Sequence, residues 1–148
     1  MKRVAVIGIG NTLMSDDGAG VRVLELLSVP KGVKVVELAT GGMSLLHVLE
    51  GLDTAIIADA VDFGGRPGEI RVFTPEDVTT IKTVGYSLHD LDIMKVLELA
   101  KRTDTLPRQV FIVAVQPASL KMGEGLSPQV EKVLPRMAAR IRELILRV

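Results

Sequence analysis

Carboxylates and one imidazole stand where predicted strands or helices begin or end: Asp16, Asp17, Asp59 and His89. Two carboxylates and an imidazole suit a divalent ion of borderline softness and leave coordination positions for water or a substrate group. In an open α/β sheet such groups come together beyond the carboxyl ends of the strands. The sequence therefore predicts a three-ligand metal site made by Asp17, Asp59 and His89.

Asp16 and Asp17 are neighbours at the entrance to a predicted helix. Side chains adjacent in sequence diverge in most backbones, so the two cannot easily share a proton as the touching carboxylates of aspartic proteases do. We expect at most one of them to point into a site. The alternative for the other, or for both, is a helix cap with first-turn acids favoured by the helix dipole.

Asp59 closes an apolar run, 55–58, that has the character of a buried strand. A charge there is costly unless it is paired, hydrogen-bonded or bound to metal. His89 follows the predicted cap Ser87, where the helix dipole favours the neutral imidazole that a metal requires. The alternative for His89 is a surface histidine; His47 is expected to pack or be partly exposed, and Asp62 to form a turn.

Strands and helices alternate along the whole chain. The predicted strands are 2–8, 33–38, 54–59, 69–73 and 109–115, and the helical segments are 21–27, 45–49, 87–97 and 127–147. This order predicts one α/β domain over residues 1–148, a three-layer α/β/α sandwich around a mostly parallel twisted sheet. The polar–apolar alternation of residues 69–73 favours one antiparallel edge strand.

A glycine turn after the first strand allows a different function. Gly8 and Gly10 resemble the start of a dinucleotide-binding fingerprint, with Glu37 as the ribose-binding acid, but Leu13 stands where the third glycine belongs. A nucleotide-dependent oxidoreductase or transferase is therefore an alternative, and a tight turn that needs glycine for backbone room is the simpler interpretation.

Composition excludes several classes of protein. Eighteen basic residues balance 18 acidic ones, so no nucleic-acid or anionic-membrane partner is expected. The absence of cysteine excludes disulfides, thiolate metal sites and a cysteine nucleophile. The apolar runs are too short to cross a bilayer, and the start of the chain lacks a secretory signal, so we expect a soluble cytoplasmic protein.

The motifs together resemble a known family. Residues 8–22, with the sequence GIGNTLMSDDGAGVR, are similar to the opening signature of the hydrogenase maturation endopeptidases. The resemblance continues in the same order along nearly the whole chain, at residues 56–60, 87–89, 116–120 and 125–128.

The resemblance implies an aspartic-type endopeptidase by family classification. It would trim the C-terminal tail of a nickel-iron hydrogenase large-subunit precursor once nickel has been inserted. It implies that Asp17, Asp59 and His89 bind the precursor's nickel, so the free protein can be metal-empty, and that the protein is a monomer. Nickel could then polarise the carbonyl or activate water, or Asp16 or Asp17 could act as the general base.

One loop departs from the family pattern. Many relatives carry an acid just before the glycines after the second strand, where this chain has Thr40 followed by Gly41 and Gly42. The two glycines remain candidate substrate-binding residues, and the change suggests a different precursor specificity. A chaperone that binds nickel and precursor without cutting would use the same three ligands, and cleavage would distinguish it.

Overall fold

Five strands form one sheet. The computed structural model describes residues 2–39, 42–77 and 88–148, and of residues 88–92 it describes the backbone alone. The strands are β1 Val4–Ile9, β2 Val33–Leu38, β3 Thr54–Ala60, β4 Ile70–Phe73 and β5 Gln109–Val115. Their order is β2-β1-β3-β5-β4, with β4 antiparallel to β5 and the other pairs parallel. β3, the central strand, is buried along its whole length.

Helices of different lengths connect and cover the strands. The α-helices are α1 Ala19–Arg22, α2 Met43–Leu49, α3 Leu88–Arg102, α4 Pro128–Glu131 and α5 Leu134–Arg147. Two 3₁₀ turns, Ser15–Gly18 and Val23–Leu26, precede and follow α1. Among the described residues, no helix is both long enough and apolar enough to span a membrane.

The sheet has a hydrophobic cluster on each face because successive side chains of a strand point to opposite sides. One face packs against α2 and α3 through Ala5, Ile7, Ile9, Ala55, Ile57, Leu45, Leu49, Ile93, Val96, Leu97 and Ala100. The other packs against α1, α4 and α5 through Val6, Ile56, Ala58, Val113, Ala19, Val130, Met137, Ile141 and Leu144. The predicted three-layer architecture and its antiparallel edge strand are confirmed.

The predicted continuous helix over 127–147 is wrong at one point. Ser127 does cap a helix, with its hydroxyl accepting from the Val130 amide at 3.3 Å, but α4 ends at Glu131 and α5 begins at Leu134. Pro135 lies four residues after Glu131, and a proline has no N–H to donate to that carbonyl and its ring crowds it. The proline therefore divides the segment into two helices, although the apolar stripe continues through both.

Gly20 in α1 lies where the chain after β1 crosses β3. A Cβ at this position would be 2.2 Å from the Ala58 carbonyl oxygen and 2.5 Å from that of Ile9. Because both obstacles are backbone atoms in buried strands, we expect Gly20→Ala to lower the free energy of unfolding by about 2 kcal/mol or more. Urea denaturation measures this against wild type, and a Gly20→Ala variant as stable as wild type would contradict the close packing.

Candidate active site

Asp59 is the second-last residue of β3 and pairs with Ala114 of β5. It is completely buried, with 0% of its surface exposed. By the alternation of the strand it shares a face with Ala55 and Ile57, which pack against α2 and α3. The central strand thus holds a carboxylate in the layer beneath the helix that carries His89.

Asp16 is also completely buried, and its carboxylate accepts hydrogen bonds from distant parts of the chain. Oδ2 accepts from the amides of Ala118 at 2.8 Å and Ser119 at 3.0 Å, and from the Ser127 hydroxyl at 2.8 Å. Oδ1 accepts from the Ser127 amide at 2.7 Å. With these donors satisfied, Asp16 is suited to hold two loops together, which argues against its candidacy as a general base.

Asp17 has a different environment although it is the next residue. It is half-buried, and its Oδ2 accepts one hydrogen bond, from the Asn11 amide at 2.9 Å. Its own amide donates to the Met14 carbonyl at 3.1 Å, which fixes the 3₁₀ turn. One carboxylate of the pair is therefore enclosed and the other is accessible, as expected for adjacent side chains.

The turn that carries Asp17 is held against the carboxyl edge of the sheet. A Cβ on Gly10 would lie 2.0 Å from the Asp17 carbonyl oxygen, and one on Gly8 would lie 2.3 Å from that of Gly20. The space beside both glycines is thus filled by this chain's own backbone. This packing supports the interpretation of a tight structural turn and argues against a phosphate cradle at this loop.

His89 lies in the first turn of α3, in agreement with the predicted helix start near Ser87. Ser87 and the His89 side chain lie outside the described part of the chain. Among the side chains that the structure does describe, no three histidine or acidic groups form a metal-binding cluster. The three-ligand set of Asp17, Asp59 and His89 thus stays a prediction.

The glycine turn before α2 is described in part. Thr40 and Gly41 lie outside the described residues, whereas Gly42 caps α2 and its carbonyl accepts from the Leu45 amide at 3.0 Å. Met43, the first residue of α2, is 59% exposed. The substrate-binding role assigned to Gly41 and Gly42 is untested by this geometry. His47 is on the surface of the same helix.

Gln116 is a buried residue that holds the loop after β3, and the sequence did not single it out as a functional residue. Its Oε1 accepts from the amides of Phe63 at 2.9 Å and Gly65 at 3.1 Å, and its Nε2 donates to Asp62 Oδ1 at 3.0 Å. Asp62 also accepts from the Gly64 amide at 3.1 Å, which fits its predicted turn role. A glutamine at the end of a buried strand was the available signal, because a buried amide needs several partners.

Glu69 completes the same loop. The Arg66 amide, and after it the Arg71 guanidinium, lower the pKa of this partly exposed carboxylate by donating hydrogen bonds to its charged form. Its carbonyl accepts from the Gln116 amide at 2.8 Å. The loop after β3 is therefore tied to the end of β5 by both main-chain and side-chain contacts.

A second connection joins the Asp17 loop to the segment after β5. The Ser15 amide donates to the Gly123 carbonyl, and the Gly123 amide donates to the Leu13 carbonyl, both at 2.8 Å. The Ser15 hydroxyl donates to the Lys121 carbonyl at 2.7 Å. Ser15 has a φ of 50°, a left-handed conformation uncommon outside glycine, which these contacts maintain.

Comparison with known proteins agrees with this architecture. A sequence model described as hydrogenase maturation protease matches residues 21–144. The hydrogenase 2 maturation protease of Escherichia coli K12 is 35% identical over 150 residues, which cover 95% of this chain and 92% of that protein. Hydrogenase expression/formation protein HupM of Azotobacter chroococcum is also 35% identical, over 95% of this chain and 72% of its own length.

Solved structures give the same result. The hydrogenase maturating endopeptidase HybD from Escherichia coli superposes with a TM-score of 0.89 at 30% identity, covering 98% of this chain and 93% of that one. The [NiFe] hydrogenase maturation protease HybD from Thermococcus kodakarensis has a TM-score of 0.80 at 26% identity, covering 97% and 99%. The resemblance seen in the sequence motifs is confirmed. The chain belongs to the hydrogenase maturation protease family and is a peptidase of that family.

Proposed function

We propose that this protein removes the C-terminal extension of a nickel-iron hydrogenase large-subunit precursor after nickel has been inserted. The observation that carries the proposal is the location of Asp17 and Asp59. The accessible carboxylate is on a turn packed against the carboxyl edge of the sheet, and a buried carboxylate lies at the end of the central strand at that same edge. Family membership supplies the reaction class.

Asp17, Asp59 and His89 are the proposed ligands that contact the nickel of the precursor. Carboxylate and neutral imidazole are suitable donors for a divalent nickel ion, and three ligands leave positions for groups of the precursor itself. Asp59 lies on the face of β3 that α3 covers, and His89 is in the first turn of that helix. Nickel belongs to the substrate in this scheme, so the free protease needs no resident metal.

Asp17 is the proposed general base. It would take a proton from water as the oxygen attacks the scissile carbonyl, and the proton would pass to the leaving amine when the C–N bond breaks. The Asp16 carboxylate already accepts from the Ala118, Ser119 and Ser127 donors, so it is assigned to positioning. The scheme thus uses one carboxylate base rather than a pair that shares a proton.

Nickel dependence of cleavage tests the proposal. The purified protein is incubated with nickel-loaded and nickel-free precursor from its own source organism, and the intact mass of the precursor is followed with time. We expect loss of a short C-terminal peptide from the nickel-loaded precursor, at a rate at least about a hundredfold above the nickel-free rate.

The proposal also holds that the protease is a monomer and that it acts in the cytoplasm.

Either of two results would contradict it. Equal cleavage with and without nickel would remove the sensing role of the three ligands. Nickel-dependent binding without any change in precursor mass would favour the chaperone alternative. A heat-denatured sample of the protease is the control for contaminating peptidases.

A further inference from the structure

Three exposed apolar side chains lie on the two connected loops beside Asp17, and we call them the apolar rim: Leu13, Leu120 and Met122. Their exposed fractions are 57%, 39% and 86%, respectively. Large apolar groups so exposed on neighbouring loops often mark a surface that a partner covers.

Hydrogen bonds between the two loops hold the backbone of the rim. The Leu13 carbonyl accepts from the amide of Gly123, the residue after Met122, at 2.8 Å. Leu120 lies between Ser119, whose carbonyl accepts from the Asp16 amide at 3.0 Å, and Lys121, whose carbonyl accepts from the Ser15 hydroxyl at 2.7 Å. The exposure of these side chains is thus maintained by hydrogen bonds that tie both loops together.

The same contacts place the rim directly beside the proposed base. Leu13 is four residues before Asp17, and the turn between them is closed by the hydrogen bond from the Asp17 amide to the Met14 carbonyl at 3.1 Å. In an extended peptide three residues span only about 10 Å. A substrate chain that presents its scissile bond to Asp17 therefore brings its neighbouring residues close to this surface.

We propose that the apolar rim binds apolar side chains of the precursor's C-terminal extension, next to the bond that is cut. This assignment rests on the proposed function, since that function requires a peptide to occupy this edge. Contacts to the extension would be made in the bound substrate and in the transition state alike. Such uniform binding lowers KM and leaves kcat unchanged.

The test replaces rim residues with serine and measures both binding and cleavage of the nickel-loaded precursor. We expect Met122→Ser to raise Kd and KM about fivefold, and Leu13→Ser/Met122→Ser to raise both about thirtyfold, with kcat within about twofold of wild type. The matched control is Leu146→Ser on α5, a leucine that is 81% exposed outside both loops. Urea unfolding and circular dichroism confirm that each variant is folded.

The outcomes separate this inference from the proposed function. If wild type cleaves the precursor but the rim variants match Leu146→Ser in Kd and KM, the rim inference is overturned and the function stands. If no cleavage occurs but the rim variants alone lose precursor binding, the cleavage function fails and the rim stands as a precursor-binding surface only. Concentration-dependent dimerisation abolished by Met122→Ser would instead assign the rim to a second copy of the chain and overturn the inference.

Discussion

Asp17→Asn is expected to slow cleavage of the nickel-loaded precursor by about a thousandfold, the range typical of a lost general base. The asparagine side chain keeps an oxygen that can accept the hydrogen bond from the Asn11 backbone N–H, which is 2.9 Å from Asp17 Oδ2 in the wild type. The turn therefore keeps its shape. It cannot take a proton from water at neutral pH. We therefore expect the free energy of unfolding to stay within about 0.5 kcal/mol of wild type.

Initial rates from intact-mass time courses measure this effect. Glu131→Gln is the matched control, because Glu131 is an exposed carboxylate on α4 and the variant has the same change in charge. That control is expected to cleave at the wild-type rate. An Asp17→Asn rate above a tenth of wild type would assign the base elsewhere and would also argue against a nickel contact by Asp17 on which cleavage depends.

Asp16→Asn is expected to affect stability more than activity, lowering the free energy of unfolding by about 3 kcal/mol. All the groups around the carboxylate are donors: the amides of Ala118, Ser119 and Ser127 and the Ser127 hydroxyl. An amide offers one oxygen, so its NH₂ must face at least one of these N–H donors whichever way it turns. The loss of negative charge weakens the remaining hydrogen bonds.

Urea unfolding of the Asp16→Asn and Asp17→Asn variants side by side is the decisive comparison. The two substitutions are chemically identical and one residue apart, so only the environments differ. A pair of variants with equal unfolding midpoints would show that the Asp16 contacts add little stability. The folded Asp16→Asn variant is expected to lose much less cleavage activity than Asp17→Asn. Asp16 affects the reaction only by positioning the loops that it connects.

Much of the fold could be predicted because local sequence patterns indicate the strands. Continuous apolar runs such as 4–8 and 54–58 are typical of buried parallel strands, and the alternation at 69–73 indicated the antiparallel edge. The break between α4 and α5 was missed because the apolar stripe continues across it. Pro135 was the signal, and its steric effect outweighs the periodicity.

The site could be predicted only in part, because the deciding contacts are remote in sequence. Nothing local distinguishes Asp16 from Asp17; the difference comes from Ser127, more than a hundred residues along the chain. Gln116 likewise owes its role to the loop at Phe63. Hydrogen bonds between distant loops leave no periodicity, so a single sequence does not reveal them.

The hydrogen bonds between Asp16 and Ser127 join parts of the chain that are synthesised far apart in time, so they form late. Their partners are 111 residues apart, so the turn that holds Asp17 emerges from the ribosome long before its donors do. Closing so long a loop has a large entropic cost, which only the assembled sheet offsets. The nascent chain therefore carries its candidate base on an unbraced turn until the last strand and the helices after it have formed.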